Sequence, residues 1–324
     1  MPITEPYSHS AFAGAACVVT GGCGFIGSNL TRALLAAGAR VTVIDNLSTG
    51  KLEHLPSASG LNLIQADINQ VTDLESIVSG AQYVFHLAAQ VGNVKSLEQT
   101  ESDAATNILG AVKLYRACRG AGIRKLVYAS SSAIFGEAET IPIAEDHPQR
   151  PASFYALSKQ TAEQYALLAH SLWSVPAVCT RFFNVYGMPM EKSEYSGVIN
   201  IFMERLAQRR PLVIYGDGSQ IRDFVYVKDV VQAVLRAAET GVPGEVYNIG
   251  SGAVCSIRDL AQQLLDLTGI QSEIQYASFR AGEVVRSAAD IRKAQQNLGY
   301  RPAYGLREGL GEIWACAGAV QMSV

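Results

Sequence analysis

The chain has 324 residues, about half of them apolar, and a net charge of −3. That is enough length for a sizeable core, and the near balance of charge lacks the basic excess of a nucleic-acid binder. No apolar run approaches the ~20 residues a membrane helix needs. Six cysteines, Cys17, Cys23, Cys118, Cys179, Cys255 and Cys316, show no paired spacing. They read as thiols in a reducing compartment, the cytoplasm, and not as a disulfide frame or metal site. Cys23 sits inside a glycine loop and reads as a buried thiol, with a reactive thiol as the other reading.

Residues 1–15 carry one acid and no Lys or Arg, and are expected to be a disordered leader, not a signal peptide. Ala16–Thr20 then reads as a buried strand and Ser28–Ala37 as a helix ended by Gly38. Strand patterns follow at 40–45, 61–66, 83–88, 125–130 and 178–184, with helices between most of them. Short apolar strands separated by helices predict parallel βαβ units and an α/β, doubly wound Rossmann sheet. The expected division is 16–186, mainly a nucleotide-binding domain, and 187–324, mainly a smaller substrate-binding lobe. The lobe includes helices at 198–209 and 257–268, and interleaves with the sheet through a strand at Tyr247–Gly250.

Gly21, Gly24 and Gly27 have the G-x-x-G-x-x-G spacing between a strand and a helix. Such glycines permit a tight turn and close approach to a pyrophosphate, which the helix N-terminus attracts. Phe25 and Ile26 complete the turn. Asp45 ends the next strand about twenty residues on, where an acid bonds the adenosine ribose hydroxyls and repels a 2′-phosphate. That favours NAD over NADP; the plainer reading of Asp45 is a cap for the Asn46-Leu47-Ser48 turn. Asp67, followed by Ile68, is a candidate adenine contact or ordinary turn chemistry.

Tyr155 and Lys159 stand four apart, so a helix presents both on one face. A nearby cation favours the phenolate, and the tyrosine is expected to exchange a proton near neutral pH. Ser130-Ser131-Ser132 precedes them at a strand end, either as part of that site or as turn chemistry.

Several ordered motifs share one resemblance. They include Thr20–Gly27, His86-Leu87-Ala88-Ala89-Gln90, Asn107-Ile108-Leu109-Gly110, Ser130–Gly136, Tyr155…Lys159, Arg181–Gly187, Arg222–Val230 and Arg280-Ala281-Gly282-Glu283. Over about Ala16–Tyr300 the chain resembles the extended short-chain dehydrogenase/reductase family, specifically its nucleotide-sugar epimerases and dehydratases. The resemblance implies that Tyr155 is the acid/base, that Lys159 binds the nicotinamide ribose, and that Ser131 bonds the reacting oxygen, with Ser132 the lesser candidate. It places Leu87, Ala88, Ala89, Asn107 and Phe182 against the cofactor. Asn184, Arg222 and Arg280 would hold the substrate diphosphate, and Tyr215 and Val198 the base. His86 reads as structural.

Dehydratases and decarboxylases of this kind carry acids immediately after the catalytic hydroxyl residue, where this chain has Ser132 and Ala133. What remains is 4-epimerisation of a UDP-hexose through a transient 4-keto sugar. Seven residues after Arg280, where related epimerases place either a bulky tyrosine or a small residue, this chain has Ser287; the resemblance implies space for an N-acetyl group, and so UDP-N-acetylglucosamine/UDP-N-acetylgalactosamine, with UDP-glucose as a further substrate. Arg286 beside it would instead suit a uronate, making UDP-glucuronate the alternative; a non-catalytic NAD-binding regulator is a third reading. Relatives dimerise through the helix after Asn107 and the Tyr155 helix, so a homodimer is expected; Leu109, Leu114, Tyr165 and Leu168 face either a partner or the chain's own core.

Overall fold

The structure, a computed structural model, describes residues 10–190, 197–279 and 284–321, with 317–321 as backbone only. Along the chain β1 (Ala16–Thr20), α1 (Phe25–Ala36), β2 (Arg40–Asp45), β3 (Leu61–Gln65), α2 (Leu74–Val78) and β4 (Tyr83–His86) come first. Then follow α3 (Asn93–Glu98), α4 (Thr100–Ala104), a π turn (Ala105–Leu109), α5 (Gly110–Cys118), β5 (Lys125–Ser131), α6 (Phe154–Trp173) and β6 (Ala177–Phe182). The remainder is β7 (Asn184–Tyr186), α7 (Val198–Ala207), β8 (Leu212–Tyr215), β9 (Ile221–Arg222), β10 (Phe224–Tyr226), α8 (Val227–Thr240), β11 (Val246–Ile249), β12 (Cys255–Ser256), α9 (Ile257–Thr268), β13 (Ile274–Ala277), β14 (Arg286–Ser287), α10 (Arg292–Leu298) and α11 (Leu306–Gln321).

Seven strands make one sheet in the order β11-β6-β5-β4-β1-β2-β3, with every pairing parallel. Its side chains alternate between two cores. Cys17, Val19, Val43, Phe85 and Val127 face one layer of helices, and Val18, Ile44, Val84, Leu126 and Tyr128 the other. Period-two alternation with both faces apolar is what a doubly wound sheet requires. The order reverses between β1 and β4, and a crevice opens at the carboxyl ends of those strands. β11 lies far along the sequence yet forms the sheet's edge beside β6.

A third core, with Phe202, Leu206, Leu212, Phe224, Leu260 and Leu310, lies outside the sheet. Around it β9 is flanked by β12 and β14 in a three-stranded sheet, which sets Ser287 opposite Arg222. The chain just beyond β14 is fastened to the segment before α6. Ile143 N–H donates to Ala288 O at 2.7 Å and Asp290 N–H donates to Ile143 O at 2.9 Å.

The expectation of a loose leader fails at its end. Ser10–Phe12 forms a 3-10 turn, and Phe12 is fully buried against the rings of Tyr83 and Phe85, at centroid distances of 4.9 and 6.3 Å. One aromatic side chain gains enough from burial to order the residues beside it; residues 1–9 lie outside the described residues. Truncating it, Phe12→Ala, is expected to lower unfolding stability by about 3–5 kcal/mol, read from the midpoint of a denaturant titration.

Candidate active site

The glycine loop is shaped by close approaches. Gly21 adopts a left-handed φ of 71°, and a Cβ there would lie 2.7 Å from the backbone nitrogen of Ala88. A Cβ on Gly27 would overlap the carbonyl oxygen of Gly21. Bare glycines therefore let α1 begin directly against the end of β1. The helix has no side-chain cap and no acid in its first turn, so its first N–H groups and positive dipole end face the crevice.

That crevice is a cavity of about 460 Å³. Every expected cofactor residue except Asn107 lines it: Gly21, Gly24, Phe25, Ile26, Gly27, Asp45, Asn46, Asp67, Ile68, Leu87, Ala88, Ala89, Tyr155, Lys159 and Phe182. Asp45 caps its turn, as the plainer reading has it. Its Oδ1 accepts from Leu47 N–H and its Oδ2 from Cys23 N–H, each at 2.8 Å. A carboxylate has further lone pairs, so its place on the cavity wall leaves it able to accept from a ribose. Asp67 accepts from Asn46 Nδ2 at 2.9 Å and caps its own turn at Asn69 N–H. Cys23 is a buried thiol pushed up to about 12 by desolvation and by Asp45, so the reactive reading falls.

Asn107 is a correction. It is 2 % exposed and sits behind the cavity wall, in the π turn. Its amide accepts from Gln90 N–H at 2.8 Å and donates to Gln90 O at 3.0 Å. Both amide ends are thus taken by the backbone after β4, and its effect on a ligand passes through that segment. A π turn at such a place is a common mark of a functional site.

The catalytic candidates converge. Ser131 ends β5, Tyr155 and Lys159 share the first turns of α6, and all three line the cavity. Ser153 caps α6 by accepting from Ala156 N–H at 3.1 Å, which fixes where the Tyr155 turn starts. Burial drives Tyr155 above the usual phenol range; the Ser131 hydroxyl lowers it and the Asp103 charge raises it again. The phenol is therefore raised, and not depressed by its lysine neighbour as expected, since desolvation opposes the phenolate. Lys159 is 4 % exposed and pulled down to about 8 by burial, while Asp103 and then Glu163 push it up. Its ammonium lies 4.5 Å from the Tyr128 ring centroid. His86 is structural as expected: its Nδ1 is 2.7 Å from Thr20 Oγ1, and burial pulls it down to about 3, so it stays neutral.

Apart from Ser131, none of the substrate candidates that the structure describes lines the cavity. Ser132 starts the 3-10 turn after β5. Asn184 donates from Nδ2 to Asp223 O at 3.1 Å and begins β7. Arg222 on β9 donates to Ile221 O at 3.0 Å, and Ser287 is its β14 neighbour. Asp223 is buried and accepts from Ser251, Gly252 and Ala289, so its carboxylate serves the fold. Val198 opens α7 against the third core, and Tyr215 ends β8. Arg280 lies outside the described residues. Arg286 Nε is 3.7 Å from Glu137 Oε1, and its Nη2 donates to Ala138 O at 3.1 Å.

Sequence reading missed several wall residues, among them Gln90, Lys95, Gln99, Ser102, Thr106 and Ser130. Ser130 Oγ is buried with no hydrogen-bond partner, an unmet polar atom at the site. Of the others, Lys95, Ser102 and Thr106 belong to short helical pieces and Gln90 and Gln99 to the chain around them, so no local pattern marks them. Among the described residues no cluster of three or more His, Cys, Asp and Glu side chains could hold a metal ion, and no helix is long and apolar enough to cross a membrane.

Residues 17–250 match the NAD dependent epimerase/dehydratase family. The chain belongs to that family. A UDP-glucose 4-epimerase of Mycolicibacterium smegmatis is 36% identical over 91% of this chain and 96% of its own length. The solved UDP-N-acetylglucosamine 4-epimerase of Methanobrevibacter ruminantium, in complex with UDP-N-acetylmuramic acid, superposes with a TM-score of 0.91 at 35% identity, covering 94% of this chain and 99% of that one. The UDP-glucose 4-epimerase of Thermus thermophilus, solved in complex with NAD, gives a TM-score of 0.85 at 35% identity over 93% and 98% of the two chains. The glycine cradle, the uncapped helix start and Asp45 fit NAD as this family's cofactor. Gly27→Ala is expected to abolish NAD retention through purification while the chain still expresses, measured by ultraviolet spectra of the released nucleotide.

Proposed function

We propose that this enzyme interconverts the carbon-4 epimers of a UDP-hexose, chiefly UDP-N-acetylglucosamine and UDP-N-acetylgalactosamine, with UDP-glucose and UDP-galactose also accepted. The observation that carries the reading is the convergence of Ser131, Tyr155 and Lys159 on the wall that the glycine loop also lines, followed in sequence by Ser132 and Ala133. Neither of those two side chains is an acid that could drive an elimination. NAD, held by the glycine loop and Asp45, would supply reversible hydride chemistry at carbon 4. The chain's own residues handle the proton. Tyr155 removes it from the 4-hydroxyl and returns it, Ser131 on the same wall offers that oxygen a hydrogen bond, and Lys159 supplies a positive charge to the ribose and phenolate.

On this reading 16–186, together with β11, holds the cofactor and most of 187–324 holds the substrate. Arg222 and Arg280 grip the diphosphate with Asn184, because a guanidinium fork meets two phosphate oxygens at once. Val198 and Tyr215 border the base. Ser287, buried and next to Arg222, provides a small side chain where a 2-acetamido group needs room. The uronate reading is weaker, since Arg286 is already engaged by Glu137 and the Ala138 carbonyl. The non-catalytic reading leaves the convergence of Ser131, Tyr155 and the buried Lys159 on one wall without a purpose.

A homodimer through α5 and α6 is part of the proposal. Leu109, Tyr165 and Leu168 are about half exposed and Leu157 and Leu172 extend the same apolar band, whereas Leu114 is fully buried in this chain's own core. Leu168→Asp should convert dimer to monomer in sedimentation velocity. The cytoplasm suits six free thiols, five of them buried.

Incubation with each UDP-sugar and chromatographic separation of the epimers tests the assignment; no conversion of any of them would sink it. Tyr155→Phe should retain NAD while kcat falls by about a hundredfold to ten-thousandfold. Ser287→Tyr should lose the N-acetylated pair and keep UDP-glucose, seen as a change in the ratio of their kcat/KM values.

A further inference from the structure

Directly beneath the Tyr155 turn lies a carboxylate that the reading above does not use. Asp103, on α4, is 1 % exposed and makes no direct ion pair among the described residues. Its Oδ2 accepts from Asn107 Nδ2 at 2.6 Å and from Ser158 Oγ at 2.9 Å; its Oδ1 is 3.0 Å from the same hydroxyl. Ser158 stands between Tyr155 and Lys159 on α6. Its single hydroxyl proton is drawn to the ionised acceptor in preference to the Tyr155 carbonyl at 3.0 Å. Asn107 directs its two N–H groups to Asp103 and to Gln90 O, with Ser158 Oγ 3.0 Å from the same nitrogen, and its amide oxygen accepts from Gln90 N–H. A buried charge thus joins the turn bearing the reactive pair to the segment lining the cofactor side of the cavity.

The surroundings single out Asp103. Lys159 feels Asp103 from α4, Glu163 from its own helix, Cys179 from β6 and the neutral His86 from β4, with the Tyr128 ring of β5 against it. Tyr155 feels Asp103 and the Ser131 hydroxyl. Glu163 is fully buried and held by Arg181 through two bonds of 2.7 and 3.0 Å, so its charge is already balanced. Asp103 is the carboxylate left to balance the buried ammonium.

We propose that Asp103 is a positioning residue for this reaction: its fixed charge keeps Lys159 protonated at working pH, and its bonds hold Ser158 and Asn107 so that α6 and the Gln90 segment stay in register. The proposal rests on the function proposed above. Burial alone pulls Lys159 down, and a negative neighbour opposes that pull. The same neighbour raises Tyr155, so the two effects move together.

Asp103→Asn keeps an oxygen for Asn107 and Ser158 and removes only the charge. A negative neighbour favours the protonated form of both groups, so its loss lowers both. The bell of kcat/KM against pH should therefore move bodily to lower pH by about one pH unit, whichever limb each group carries. Ser158→Ala, which removes a bond and leaves the charge, should lower the plateau with the limbs in place. A lower plateau with unmoved limbs in Asp103→Asn, or the same movement in Ser158→Ala, would overturn the proposal. A readout without turnover is the tyrosinate absorbance of Tyr155, obtained as the difference between each protein and its Tyr155→Phe counterpart. It should titrate at lower pH in Asp103→Asn, and an unchanged titration would overturn the proposal. Failure to turn over any UDP-sugar would defeat the functional assignment, and the absorbance titration would still decide the role of Asp103.

Discussion

Helix α1 can start against the carboxyl end of β1 only because residue 27 carries no side chain. A Cβ there would occupy the space of the Gly21 carbonyl oxygen, and a Cβ on Gly21 would press on the backbone of Ala88. Three pieces of backbone, from the ends of β1 and β4 and the start of α1, are thereby brought together at the switch point of the sheet. Everything else in the cavity takes its position from that meeting. Asp45 reaches across it to the Cys23 amide, and the Ser131, Tyr155 and Lys159 group faces it from β5 and α6. The geometry is repulsive in origin: it is set by where atoms cannot be.

Features whose cause is local were legible in the sequence. The strands of the sheet carry alternating apolar residues, the glycine spacing is contiguous, and the Tyr155–Lys159 pair needs only one helical turn. Boundaries drifted where a strand pattern continues past its last ladder bond, as at Leu87 and Ala88, which leave β4 to form the cavity wall. What depends on distant partners could not be read. The motif around Asn107 sets it against the cofactor, whereas its amide is used by the Gln90 backbone. Asp103 and Ser158 are 55 positions apart and meet only after the layers pack. The fate of Leu114 against that of Leu109 turns on a side of the helix, and the π turn before α5 alters the angular count between them. The phenol was expected to be acidified by its lysine neighbour, a judgement that sequence can make about charge but not about desolvation.

The buried polar chemistry of the site follows one pattern. Two buried carboxylates are held by partners from other elements: Glu163 of α6 by Arg181 of β6, and Asp103 of α4 by Ser158 of α6 and Asn107 of the π turn. Such bonds leave little freedom for α6 to slide on its neighbours, because any shift would strand a buried charge.

The bonds between Ile143 and the Ala288–Asp290 segment bear on how a product of opposite configuration can arise. They tie the strand holding Ser287 to the large sheet's side of the crevice by main chain, and β11 already belongs to that sheet. The two halves of the molecule cannot swing apart around the bound sugar without breaking this stitching. Presenting the second face of a flat keto ring to the same hydride donor is then a motion of the ligand: the hexose must pivot on its own diphosphate bonds inside a vessel that holds still.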